Sequence, residues 1–169
     1  LEQLIRTQNN GRSFAQALLG RKLEFEAAKI PTNVYPRNGQ FRTSTEYFRF
    51  AMVNGWLEGF DYTWFGAPGS DCADPTNAAA FASNHNVWCV TLDVDDDSPS
   101  MVPLFFTRNL AFTGTTLTTF VGLDKNAKPY GDRGGIVVTM GGAGRRLQKG
   151  EMENAKQAFL GFPNAFLRP

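Results

Sequence analysis

LEQLIRTQNNGRSFAQALLGRKLEFEAA, residues 1–28, is the stretch of sequence that decides the fold. Its apolar side chains recur at helical spacing and form one stripe along a helix, made of Leu1, Leu4, Ile5, Ala15, Leu18 and Leu19. Gly11 lies near the centre of the stripe, where a glycine weakens a helix by about 1 kcal/mol and allows a bend. The pattern predicts a single long amphipathic helix over residues 1–28.

The apolar stripe is already present at Leu1, and no capping residue precedes it. We therefore expect the helix to begin upstream, so that residues 1–28 are the soluble part of a longer stem. Fraying of an ordinary first helix is the alternative. Within the 169 residues, no run reaches the ~20 consecutive apolar side chains that a membrane-spanning helix needs.

Shorter elements are predicted after the first helix. Thr43 followed by Glu46 fits a capping box and predicts a second helix over residues 46–54, ending at Gly55. A brief extended piece is expected over residues 62–65. These two segments come before the main group of strands.

The second half of the chain reads mainly as strands, because it is rich in β-branched and aromatic residues. The pattern predicts strands over residues 87–94, 104–107, 115–121, 136–140 and 145–148, and a closing helix over 151–160. GGAG at 141–144 predicts a hairpin turn and not a phosphate loop, because a strand-like stretch follows it. The chain is therefore predicted to be one α+β domain over residues 1–169, with its long N-terminal helix packed on an antiparallel sheet.

Composition excludes several classes of protein. Apolar residues make up 42% of the chain and charged residues 20%, which is typical of a globular protein and not of a disordered one. The formal net charge of +1 gives no reason to expect a nucleic-acid partner. The 15 phenylalanines indicate a core or a partner surface built from flat aromatic side chains.

Cys72 and Cys89 are the only cysteines in the chain. An even pair is compatible with one disulfide, worth roughly 3 kcal/mol in the chain-entropy model, and two free thiols are the alternative. His85 is the single histidine, so a serine or cysteine nucleophile would need it as base. It lies between two asparagines and no G-x-S-x-G elbow is present, so we expect a solvent-facing loop histidine.

An acidic cluster, Asp93, Asp95, Asp96 and Asp97, follows the first predicted strand of the sheet. Aspartates at alternating positions offer several oxygens to one hard cation, so Asp93, Asp95 and Asp97 are candidate calcium ligands. A solvated acidic turn without any cofactor is the default interpretation, because the glycine and glutamate of an EF-hand loop are missing. A carboxylate pair for glycoside hydrolysis is a further alternative.

The three tryptophans, Trp56, Trp64 and Trp88, also have two interpretations. The first is that they belong to the core, as large aromatic side chains usually do. The second is that they stack on sugar rings, although no spacing singles out any of the three.

The order of these segments resembles that of the type IV pilins and the type II secretion pseudopilins. The resemblance covers most of the chain and is carried by QNNGRSFAQALLG (8–20), RTSTEYFRFAMVNGWLE (42–58), TWFGAPG (63–69), NVWCVTLDV (86–94), PLFFTRNL (103–110) and GDRGGIVVTMGGAGRRL (131–147). Many such prepilin-like proteins end in two strands joined by a D-G-H turn, and here Gly142-Ala143-Gly144 stands at that turn.

The resemblance implies an inner-membrane anchor upstream, processed by a prepilin peptidase, and a head whose sheet packs against the stem. Leu1, Leu4 and Ile5 would then lie in the part of the stem that is buried in an assembly with other copies or other pilin-like subunits. Members of the family often carry a disulfide in the head, for which Cys72 and Cys89 would serve. Secretion pseudopilins often bind calcium in a loop of the head.

Three functions are therefore open at the level of sequence. The first is a non-catalytic structural subunit of a pilus-like or pseudopilus-like assembly in the cell envelope, on the periplasmic face or in an extracellular filament. The second is a secreted adhesion or glycan-binding module. The third is a hydrolase that uses the aspartates.

Overall fold

The computed structural model describes residues 2–169. Its helices are α1 (Glu2–Ala27), α2 (Ser44–Val53) and α3 (Met152–Leu160). Its strands are β1 (Trp88–Thr91), β2 (Pro103–Thr107), β3 (Leu110–Phe112), β4 (Phe120–Leu123), β5 (Gly135–Thr139), β6 (Gly144–Leu147) and β7 (Phe166–Leu167). Five of them form an antiparallel sheet in the order β6-β5-β2-β1-β7, and β3 pairs with β4 separately. The predicted α+β class is confirmed.

Both predicted N-terminal helices are present. α1 ends within one residue of its predicted end and buries Thr7, Gly11, Phe14, Ala15 and Leu18. α2 begins two residues earlier than predicted, with Thr43 as its N-cap: the backbone N–H of Glu46 donates to Thr43 Oγ1 at 3.1 Å. The Glu46 carboxylate accepts from the backbone N–H of Arg42 at 2.9 Å, one residue before the position that a full capping box would use.

The central sheet is covered on both faces. Side chains on one face of β1 and β5, such as Trp88 and Val138, form a first core with α1 and α2. The alternate side chains, such as Cys89 and Val137, form a second core with α3 and the β3–β4 hairpin. This second layer was not predicted. Because the same strands contribute to both cores, the chain folds around one shared sheet.

Several predicted elements differ in the structure. Tyr62–Phe65 is a short 3₁₀ helix and not an extended piece, because Asp61 caps its first turn. The strand predicted over 115–121 is confirmed only at 120–121, the start of β4, because a 3₁₀ turn at Leu117–Thr119 precedes it. The two-residue strand β7 was not predicted at all.

The glycine-rich hairpin is confirmed. β5 and β6 pair in register from Gly135 opposite Leu147 to Val138 opposite Gly144. Gly142 adopts a φ of 86°, in the left-handed region that glycine occupies without strain. The segment GGAG is therefore a turn between two strands, as its composition indicates.

Gly11 is a point of very close approach between α1 and the sheet. A Cβ atom at this position would lie 2.6 Å from Cη2 of Trp88 and 2.9 Å from Cγ2 of Val138. Trp88 is completely buried and belongs to β1, so its ring cannot shift away from a new side chain at this position. The glycine that seems a weakness in the helix sequence is thus the residue that lets the helix lie on the sheet.

We predict opposite effects for two alanine substitutions in α1. Gly20→Ala adds a Cβ with no atom within 4 Å, so the free energy of unfolding should rise by up to about 1 kcal/mol from helix propensity. Gly11→Ala gains the same propensity, but overpacking Trp88 costs about 1–3 kcal/mol, so the net change should be a loss of up to about 2 kcal/mol. Urea denaturation of both variants measures the difference; equal stabilisation would show that α1 does not rest on Trp88.

Candidate functional site

The stem residues predicted from sequence divide between two faces of α1. Leu4 is half-buried and packs against the first core, with its Cδ1 3.5 Å from where a Cβ would lie at Gly134. Ile5 is 42% exposed, because one step along the helix rotates a side chain by about 100°. Leu1 lies outside the described residues. Further along α1, Leu23 is 50% exposed, so the outer face carries a large apolar side chain near each end.

The acidic turn brings together three carboxylates. Oxygens of Asp95, Asp96 and Asp97 all lie within 4.8 Å of one another. Two cations face this group from other segments: Arg37 Nη2 lies 3.1 Å from Asp95 Oδ2, and Lys22 Nζ lies 3.7 Å from Asp95 Oδ1. The turn therefore joins the end of α1 to the loop that follows it.

Asp93, the third candidate calcium ligand, lies outside this group. Its backbone is in the left-handed region with a φ of 61°, and its Oδ1 accepts from the backbone N–H of Asn38 at 3.1 Å. The side chain thus secures the loop before α2. Asp93 is therefore not among the carboxylates that the turn brings together, and calcium binding stays a prediction.

The pKa values in the turn follow from these contacts. Partial burial opposes ionisation of Asp95, but hydrogen bonds from Asp96 and the charges of Lys22 and Arg37 outweigh it and lower the pKa of Asp95. For Asp96, burial and the adjacent carboxyl groups of Asp95 and Glu26 act in the same direction and raise its pKa to about 6. Calcium would have to displace two cations from the central carboxylate, so the arrangement favours a cross-linked turn over a metal site.

The two cysteines are not bridged: both are free thiols in the described chain. Cys89 points into the second core, where burial raises its pKa to about 12. Cys72 is exposed in a loop whose next residue, Ala73, belongs to the first core on the opposite face of the sheet. The predicted disulfide is therefore not formed, because the sheet lies between the two side chains.

Cys72 and His85 line one cavity of about 340 Å³, whose other wall includes Arg6 and Thr7 of α1. His85 Nδ1 accepts from the backbone N–H of Ala82 at 3.0 Å. In a catalytic triad, by contrast, Nδ1 is protonated and donates a hydrogen bond to a carboxylate. Sequence reasoning missed this proximity of thiol and imidazole, yet the histidine lacks the orientation that a general base requires.

The tryptophans occupy three different environments. Trp88 is fully buried beneath α1, as the core interpretation predicts. Trp64 is half-buried and packs edge-on against Phe60, with the ring centroids 5.0 Å apart. Trp56 is half-buried and lines a small aromatic cavity next to α2. Trp56 therefore differs from Trp64 in lining a cavity that opens to solvent.

No helix among residues 2–169 has the length and apolar character to cross a membrane.

We predict that the two thiols differ sharply in reactivity. Under native conditions a thiol reagent should modify one cysteine per chain quickly, and Cys72→Ser should abolish this reaction. In denaturant without reductant, the wild-type chain should expose two reactive thiols. No free thiol in denaturant would reveal a bridge and contradict the structure. Mass spectrometry after labelling provides the measurement.

We also predict that ionisation of Asp96 lowers the free energy of unfolding as the pH rises. A carboxyl group whose pKa is higher in the folded state contributes most below its unfolded value, near 3.8, and this contribution is lost as the pH rises through about 6. Asp96→Asn should therefore gain stability relative to the wild type between pH 4 and pH 7. Denaturation curves across this range test it, with the exposed Asp97→Asn as matched control. Parallel pH profiles for wild type and Asp96→Asn would refute the assignment.

Comparison with known proteins returned no matching family model, no matching curated protein and no matching solved structure. The structure by itself establishes an α+β fold in which an N-terminal helix covers a five-stranded antiparallel sheet. The resemblance to pilins stays a prediction from the sequence.

Proposed function

We propose that this chain is the head and lower stem of a non-catalytic structural subunit, in a type IV pilus-like or type II secretion pseudopilus-like assembly at the cell surface. Other copies of the chain or other pilin-like subunits are its partners, and a hydrophobic helix upstream anchors it in the membrane. The observation that carries the proposal is the length of α1 compared with the sheet that it covers.

α1 is far longer than the sheet requires. Its 26 residues span about 39 Å at 1.5 Å per residue. The five strands are together about 19 Å wide, and none exceeds five residues, or about 17 Å. The fully buried residues of α1, from Thr7 to Leu18, match that dimension, and the half-buried Leu4 and Phe25 extend the contact with the first core toward both ends. The helix is still about twice as long as the sheet is wide, which supports a rod that does more than complete a core.

The outer face of α1 supplies contacts of the kind that an assembly needs. Ile5 and Leu23 expose apolar side chains to water in the single chain, at a free-energy cost that burial against a neighbouring stem would remove. Polar side chains lie between them on the same face, including Asn9, Arg12 and Gln16. Such a mixed face suits stems that pack side by side, and it involves no chemical turnover.

The cavity of about 340 Å³ beside α1 carries a thiol and an imidazole that are not arranged as a catalytic pair. Within residues 2–169, Cys72 and His85 border the same space, but His85 Nδ1 is already occupied by a backbone donor. The acidic turn is cross-linked by Lys22 and Arg37, which oppose use of Asp95 as a nucleophile or base.

The coding sequence immediately upstream of Leu1 tests the proposal directly. We predict a run of about 20 apolar residues there, in helical continuity with α1. In cells that express the intact gene, the subunit should be found in membranes and in sheared surface filaments. A start codon close upstream, with no such run, would remove the anchor and with it the assembly function.

The same cells allow a test of the stem surface. Glutamate is a good helix former and position 5 is exposed, so Ile5→Glu should leave the melting temperature of the head unchanged. Burying the new charge between stems should lower the filament fraction by about tenfold. Met101→Glu, at a position that is 66% exposed and outside α1, is the matched control. Normal assembly of Ile5→Glu would contradict a role for this face.

A further inference from the structure

An aromatic cavity lies between the loop after α1 and the exposed side of α2. Its volume is about 220 Å³. Seven side chains line it: Asn33, Tyr35, Gln40, Phe41, Tyr47, Phe50 and Trp56. Five of the seven are aromatic, and Phe50 is 44% exposed. The cavity is therefore open to solvent but walled by rings.

The rings are arranged edge to face, which gives the wall a stepped surface. Phe41 lies 5.6 Å from Tyr47 and 5.4 Å from Phe50, with interplanar angles of 71° and 60°. Phe50 lies 5.3 Å from Trp56 at 71°. Each ring thus braces its neighbour, and the wall is preorganised for a puckered ring with apolar C–H groups.

Asn33 adds a hydrogen-bond donor to this wall. Its Oδ1 accepts from the backbone N–H of Tyr35 at 3.0 Å, which fixes the orientation of the amide. Its Nδ2 is buried and has no acceptor anywhere in residues 2–169. A buried donor without an acceptor costs free energy, and an oxygen atom of a ligand would recover it. The exposed side chain of Gln40 also lines the cavity, and its Oε1 accepts from the backbone N–H of Arg37 at 2.8 Å; this surface hydrogen bond must break for Gln40 to move aside and admit that oxygen.

The absence of charge defines the class of ligand. None of the seven lining residues is ionic, which disfavours a phosphate, a carboxylate or a sulfate. An unpaired N–H donor also disfavours a cation, although aromatic walls alone would attract one. What remains is a neutral molecule with an apolar face and oxygen acceptors.

We infer that this cavity binds one ring of a neutral saccharide. The C–H face of the sugar stacks on Trp56, the rim of the sugar ring meets Phe50, and a sugar oxygen accepts from Asn33 Nδ2. The site is independent of the proposed assembly, because it does not use the exposed apolar positions of α1. It assigns a role to Trp56 that Trp64 and Trp88 cannot share, since neither lines the cavity.

Calorimetric titration of the folded chain with chitohexaose, cellohexaose and maltohexaose tests the inference. At least one of these neutral probes should give saturable binding. Trp56→Ala and Asn33→Asp should each weaken it by roughly tenfold or more. Asn33→Asp keeps the oxygen that accepts from Tyr35 while removing the donor. Val53→Ala, an exposed apolar residue of α2 outside the cavity, should leave the affinity unchanged.

Two further probes separate saccharides from other ligands of aromatic cavities. A polyproline peptide represents a proline-rich partner, and tetramethylammonium represents a quaternary cation. Binding of either one in place of the saccharides, with the same dependence on Trp56, would overturn the inference. So would the absence of saturable saccharide binding, or unchanged affinity in a Trp56→Ala variant whose circular dichroism is native. None of these results affects the filament assay, so the two proposals fail separately.

Discussion

The close contact between Gly11 and Trp88 is the constraint on which the rest of the structure depends. Without a side chain at Gly11, α1 settles directly onto β1 and β5, and Phe14 and Leu18 reach the floor of the first core with no exposure to solvent. A second close approach, where Gly144 faces Gln8, fixes the helix against β6. Two such contacts set the height and direction of α1. They thereby determine which residues of the helix face outward.

Much of the fold could be predicted from the sequence, because the elements that short-range sequence patterns predict are present in the structure. The cap at Thr43 and the turn at Gly142 depend on neighbouring residues only, so a single sequence is enough to predict them. β7 could not be predicted, since two residues carry no periodicity and its pairing with β1 brings together residues more than 70 positions apart. The second core was missed for a related reason: a strand buried on both faces loses the alternation that marks a surface sheet.

The candidate sites were harder to predict than the fold. The cysteine pair suggested a bridge, but an even count says nothing about which face of a sheet each side chain occupies. The acidic cluster was visible, yet its partners Lys22 and Arg37 come from distant segments and change what the carboxylates can do. The tryptophans looked alike in sequence, and only tertiary packing separates the buried Trp88 from Trp56 at an open cavity.

The position of the aromatic cavity along α1 makes assembly and saccharide binding compatible. Trp56 also borders a groove with Ala17 and Gly20, which lie in the second half of the helix. Gly20 is about 22 Å along the helix axis from Ile5, at 1.5 Å per residue. In the proposed assembly the upstream stem leaves from the Ile5 end of α1. The cavity is walled by the loop after α1 and by α2, and neither Ile5 nor Leu23 lines it, so stems that bury these two side chains do not use its rings.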